Sequence, residues 1–298
     1  MSEYQKYFDP VTLTKIGRLD IIARLVVEGY ITGRHRSPYH GFSVEFADHR
    51  EYVPGDDIKH VDWRVYAKSD RYYIKQYEEE TNLRSTLLLD TSESMKYGSG
   101  PVTKLFYACT LAASLAYLLI RQQDSVGLSM FDNTVHRFIP PKSTPGHMKL
   151  LLHEMSQIEP KEKTSMDLIF HDVAERIHRR GLVVIISDLF DDPETVLMGL
   201  RHFRHNKHEV IVFHVLDDYE LKFPFDDTTM FDGLEGYGEV LTEPRSLRAT
   251  YLQEVDDFVT IIRRGCRQHE IDYVQLNTST PMDVALSAYL ASRSSRGK

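Results

Sequence analysis

Two short runs constrain this chain more than any other feature. Leu87-Leu88-Leu89 closes in Asp90, and Leu182-Val183-Val184-Ile185-Ile186 closes in Ser187-Asp188. An apolar run of that length without polar alternation reads as a strand covered on both faces, the condition of a parallel sheet between two helical layers. Around these runs the pattern alternates. Residues 105–121, 146–158, 167–177, 193–204, 247–269 and 281–290 carry helical spacing, and 125–131, 135–139, 209–215 and 272–276 read as strands, with Asp132-Asn133 turning a hairpin. Such alternation implies an α/β fold with a doubly wound, mostly parallel, Rossmann-type sheet flanked by helices. In a right-handed winding the strands at 86–90 and 182–187 can be neighbours at the sheet centre.

The first third of the chain reads differently. Residues 11–28 carry Leu13, Ile16, Leu19, Ile22, Ala23 and Val26 at helical steps up to Gly29, an amphipathic helix that must dock on something. From there to residue 82 come short extended pieces and turns, a strand around 72–77, and a dense set of charges near Trp63, for which salt bridges are a sufficient account. The expected division is therefore 1–82, an N-terminal helix plus a smaller β-rich subdomain, and 83–298, the α/β domain. Residues 219–241 read as an extended excursion and 292–298 as a loose tail.

Charge and cysteine content narrow the function classes. Lys and Arg number 36 against 44 Asp and Glu, a formal charge of −8 without an acidic tail, which argues against nucleic acid or an anionic membrane as partner. Cys109 and Cys266 lie in helical patterns with no C-x-x-C, as buried core residues do. The first residues show no secretory pattern, and the apolar stretch 105–120, broken by Thr110 and Ser114, reads as too short for a membrane span. A soluble, cytoplasmic protein is expected.

The chemistry is concentrated at the strand ends, where open α/β sheets bind ligands. Ser92 and Ser94 follow Asp90 at steps of two, so a tight loop can aim all three at one point while Thr91 and Glu93 face away. Oxygen ligands of this kind suit Mg²⁺, or Mn²⁺, which keep positions for water or a partner. The same residues would also serve as a helix N-cap. Two more loops offer oxygens at the same edge, the one holding Thr164 and the one opened by Asp188. Convergence of all three favours the metal.

Asp90-x-Ser92-x-Ser94 with Thr164 and Asp188 resembles the metal-ion-dependent adhesion site of von Willebrand factor type A domains. Upstream, Glu45-Phe46-Ala47-Asp48-His49-Arg50-Glu51-Tyr52, Pro54-Gly55-Asp56-Asp57 and Asp62-Trp63-Arg64 are similar to the signature of the bacterial family catalogued as domain of unknown function 58. The resemblance implies a von Willebrand A-like fold, a Mg²⁺ or Mn²⁺ site and partnership with a MoxR-type AAA+ ATPase. Carried over, Ser92, Ser94 and Thr164 are hydroxyl ligands, and Asp90 and Asp188 bind directly or through water. The chain departs from the pattern at Lys161-Glu162-Lys163, where a glycine-rich lead is usual, and at Leu189, where glycine is usual. Neutral hydroxyls leave the ion electrophilic and open to a carboxylate from a partner, an ATPase or a client protein. The expectation is an interaction module and not an enzyme.

The main rival is a phosphoryl-transfer hydrolase of haloacid-dehalogenase-like type, with Asp90 on Mg²⁺ and Asp188, Asp191 and Asp192 as the second acidic loop. It wants an acid two residues after the nucleophile, and Ser92 stands there. A P-loop is unsupported, because Lys104 is followed by Leu105. His202, His205 and His208, interleaved with Arg201, Arg204 and Lys207, read as a solvated basic face.

Overall fold

The computed structural model describes residues 9–34, 49–51, 66, 72–75, 83–158, 166–233 and 238–296. They fall into two compact units, residues 34–82 and residues 1–33 together with 83–298. In the smaller unit β1 (His49–Glu51) pairs antiparallel with β2 (Tyr73–Lys75), and Tyr66 stacks on Tyr72. Most of the charged cluster noted in the sequence lies outside the described residues.

The larger unit is built on β3 (Arg84–Asp90), β4 (Ser125–Phe131), β5 (Val135–Lys142), β6 (Leu182–Ser187) and β7 (Glu209–Leu216). After an antiparallel hairpin of β8 (Thr229–Gly233) and β9 (Gly238–Thr242), β10 (Asp272–Asn277) completes a six-stranded sheet in the order β10-β7-β6-β3-β4-β5. Every pair is parallel except β4 with β5, the expected hairpin. The central runs are adjacent, with Ser85 beside Leu182 and Leu89 beside Ile186. This is the doubly wound, von Willebrand A-like arrangement that the resemblance implied.

Both faces of the sheet are covered, which is why its strands are apolar without alternation. Leu87, Leu89, Val184, Ile186, Ile211 and Phe213 enter one core with the helices Lys104–Arg121, Pro145–Ser156 and Met282–Arg296. Leu88, Val183, Ile185, Val210 and Val212 enter the other, against the helices Met166–Arg176, Pro193–His205 and Pro244–Gln268. The helix Lys104–Arg121 is long and apolar enough to cross a membrane, contrary to the sequence expectation, but its residues are largely buried in the first core.

The N-terminal helix corrects the expected domain boundary. It belongs to the α/β unit, because Ile22, Ala23, Val26, Val27 and Tyr30 are buried in the first core. Burying an aliphatic side chain is worth about 1.5–3 kcal/mol, so the docking partner it needed is the sheet's own helical layer. The single helix expected over 11–28 is two, Pro10–Thr14 and Leu19–Arg34. Gly17, at φ +66°, takes the left-handed turn between them, while Gly29 is passed without a break. Residues 219–241, read as extended, contain the short helix Asp218–Lys222 before the hairpin, and the expected tail is helical to Arg296.

Winding changes direction at β3. The chain leaves β3 for β4 on one side and returns to β6 on the other, so a crevice opens at their carboxyl ends.

Candidate functional site

Asp90 ends β3 with a carboxylate fixed by neutral donors. Its Oδ1 accepts the Ser92 N–H at 2.9 Å, and its Oδ2 accepts the Ser187 hydroxyl from the end of β6. The Oδ1 bond folds the chain into a tight turn that sets Ser92 and Ser94 side by side, their Oγ atoms 3.0 Å apart. Ser92 precedes a 3₁₀ turn, Glu93–Lys96, but its hydroxyl makes no cap bond. The capping alternative therefore does not describe this serine. Thr91 and Glu93 face away as expected, Thr91 donating to the Phe131 carbonyl at 2.8 Å and Glu93 meeting Lys96.

Asp188 follows β6 and lies beside Ser187, so Ser187 joins the two acidic strand ends directly. Ser187 Oγ also accepts the Leu189 N–H at 2.8 Å. Leu189 holds φ +52°, a conformation that favours glycine, so this loop keeps a left-handed turn at a cost of about 1 kcal/mol and offsets it by burying the leucine. Asp90, Ser92, Ser94 and Asp188 are all buried at one sheet edge. Thr164, the remaining expected ligand, lies outside the described residues.

Three residues that the sequence reading did not include complete the site. Lys104 Nζ lies 2.8 Å from Asp188 Oδ2 and 2.6 Å from Glu220 Oε1, with the side chains of Lys104 and Asp188 only 3% and 1% exposed. Burial works against the ammonium charge, but Asp188 and Glu220 outweigh it and hold Lys104 protonated above the ordinary lysine range. Burial raises the Glu220 carboxyl, and Lys104 draws it back. Glu220 is itself held, since its Oε2 accepts the Asp217 N–H at 2.7 Å in the capping box of the helix Asp218–Lys222.

His214 supports Asp188 from below. Its Nε2 lies 2.8 Å from the Asp188 carbonyl, which can only accept, so Nε2 carries the proton; Nδ1 meets the Tyr273 hydroxyl at 2.7 Å. Burial, with smaller contributions from Lys104 and Arg263, pushes its pKa down to about 4 against the pull of Asp188. The ring is neutral. One signal in the sequence could have exposed Lys104: a cation in the first turn of a helix opposes the macrodipole and asks for a nearby acid.

The donor set fits a small hard cation. Neighbouring oxygens of a Mg²⁺ octahedron lie about 3 Å apart, the separation of the Ser92 and Ser94 hydroxyls. It fits the phosphatase rival less well, because both extra acids are engaged as caps. Asp191 Oδ2 accepts the Met166 N–H at 2.8 Å, and Asp192 Oδ2 accepts the Thr195 N–H at 3.0 Å. Nor is the expected basic face simply solvated, for Arg204 donates to the His208 and His269 carbonyls and His208 is buried. Among the described residues no cluster of three His, Cys, Asp or Glu side chains forms a further metal group.

Residues 48–258 match the family described as "Protein of unknown function DUF58". An uncharacterised protein of Mycobacterium bovis is 23% identical over 289 residues, covering 96% of this chain and 90% of its own length. A Mycobacterium tuberculosis protein is similar to the same extent. Of solved structures, the conserved hypothetical protein BatB from Bacteroides thetaiotaomicron aligns over 71% of this chain and 99% of its own, with a TM-score of 0.50 and 17% identity. That likeness is one of fold.

Proposed function

We propose that this chain, which belongs to the family described as protein of unknown function DUF58, is a metal-dependent protein-interaction module. The observation that carries the reading is the convergence of the Ser92 and Ser94 hydroxyls beside Asp90 at the switch point of the sheet. In this reading Ser92 and Ser94 hold a Mg²⁺ or Mn²⁺ ion, with Thr164 as a third hydroxyl and Asp90 and Asp188 acting directly or through water. Bound there, the ion supplies an electrophilic position for an Asp or Glu carboxylate of a partner.

The chain's own residues prepare that exchange. Ser187 and the Ser92 amide fix Asp90, and the Phe190 N–H fixes Asp188 Oδ1 at 3.1 Å. Phe190, two residues after Asp188 and 60% exposed, puts apolar surface beside this edge, of the kind that protein interfaces use. The partner implied by the family resemblance is a MoxR-type AAA+ ATPase, or a client delivered to it. A cytoplasmic setting agrees with two free cysteines that are buried, their thiols pushed up to about 12 by burial.

Capture of the cognate ATPase on immobilised protein, with and without a chelator, tests the reading. Capture that is lost in chelator and restored by Mg²⁺ is expected; chelator-insensitive capture would reduce the ion to a structural role at most.

A further inference from the structure

We infer that Lys104 is a resident cation competing with the divalent ion for Asp188, and that Glu220 is the seat on which it is retained when Asp188 turns to that ion. The inference rests on the metal-dependent reading above and adds what regulates the affinity of the site.

The two acidic strand ends are not equivalent. Asp90 accepts from the Ser92 amide and the Ser187 hydroxyl, both neutral donors. Asp188 carries an ammonium at 2.8 Å. In a buried, weakly screened setting, a divalent ion at this edge is repelled by Lys104 and finds one of its two carboxylates already neutralised. Lys104 cannot swing into solvent at little cost, because its side chain is enclosed and its backbone N–H is tied to the Tyr97 carbonyl at 2.9 Å.

Glu220 supplies the second half of the device. It stands 2.6 Å from the same Nζ, and its position does not depend on Asp188, since the capping box anchors it through Asp217. When Asp188 turns to a metal ion, the ammonium therefore keeps a carboxylate. A buried lysine with one acid would make the exchange far more costly; with two acids the charge is handed over in place. The site is thereby tuned to bind the ion weakly alone and more firmly once a partner's carboxylate adds its charge.

Mn²⁺ titration of the full-length protein, followed by electron paramagnetic resonance, tests this. Lys104→Met is expected to bind Mn²⁺ about tenfold tighter or more, the size of effect expected when a like charge is removed from a few ångströms away. Glu220→Gln, which keeps an acceptor for the Asp217 N–H, is expected to weaken binding about threefold while Lys104 is present and to have no comparable effect in the Lys104→Met background. The Glu220→Gln arm keeps the inference open to refutation if Lys104→Met does not fold, and thermal unfolding of each variant identifies that case. Mn²⁺ bound by the parent protein in an Asp90-dependent way, with affinity unmoved or lowered in Lys104→Met, overturns the inference and leaves the metal reading standing. Absence of Asp90-dependent binding in every form removes the metal reading, and this inference with it.

Discussion

β3 and β6 end alike in sequence and differently in electrostatics. Each is an apolar run closing on an aspartate, the two lie side by side, and both carboxylates are buried. Asp90 accepts from dipoles of its own turn and of Ser187, whereas Asp188 meets a full charge brought in on the helix Lys104–Arg121. The contrast teaches that the electrostatic setting of a strand-end acid is decided by what the next layer places against it. Here one acid accepts from an amide and a hydroxyl, and its neighbour accepts from an ammonium.

That contrast yields graded predictions. Lys104→Met leaves Asp188 without its cation, and losing one partner of a buried pair costs about 3–5 kcal/mol, measured by denaturant unfolding in chelator. Adding Asp188→Asn to that variant is expected to recover most of the loss; no recovery would mean that the lysine acts through packing alone. A smaller effect comes from pH. His214 is neutral in the fold with its pKa at about 4, while an unfolded histidine sits near its ordinary value, so the unfolded chain takes up the proton first as pH falls. Stability fully present above about pH 6.5 is expected to decline toward pH 4 by about 3 kcal/mol, and His214→Gln to flatten that slope.

On the other strand end the effects are milder. Asp90→Asn keeps the shape and one acceptor, so a loss of about 1–2 kcal/mol is expected, well below that of Lys104→Met. An equal loss would erase the distinction between the two acids. Ser94→Ala removes a single hydroxyl contact, with an expected change of about 1 kcal/mol or less in melting experiments without metal. Its effect on Mn²⁺ binding is expected to be far larger, separating ligation from structure.

How much of this was legible follows from the range of each interaction. Strand identity could be read because Leu87 to Leu89 and Val183 to Ile186 carry their two-sided burial in consecutive letters. The turn at Asp90 is equally local where the Ser92 N–H and the Ser92–Ser94 contact shape it, each spanning two residues. Lys104, Glu220 and His214 were missed because they come from three other elements, Lys104 and His214 meeting Asp188 and Glu220 meeting Lys104, and their neighbours in the sequence do not name those partners. Helical periodicity placed the stripe of Ile22 and Val26 but not the layer that covers it, so the N-terminal helix was assigned to the wrong unit. Arg204 looked like surface charge for the same reason: its acceptors sit on His208, beyond its own helix, and on His269 and Glu270 far along the chain.

The central claim is that the Ser92 and Ser94 hydroxyls, beside Asp90, hold a divalent cation. Calorimetric titration of Mg²⁺ into the parent protein and into the Ser92→Ala, Ser94→Ala double variant tests it most directly. Saturable binding by the parent and none by a folded double variant is the result predicted; equal heats in the two proteins would contradict it.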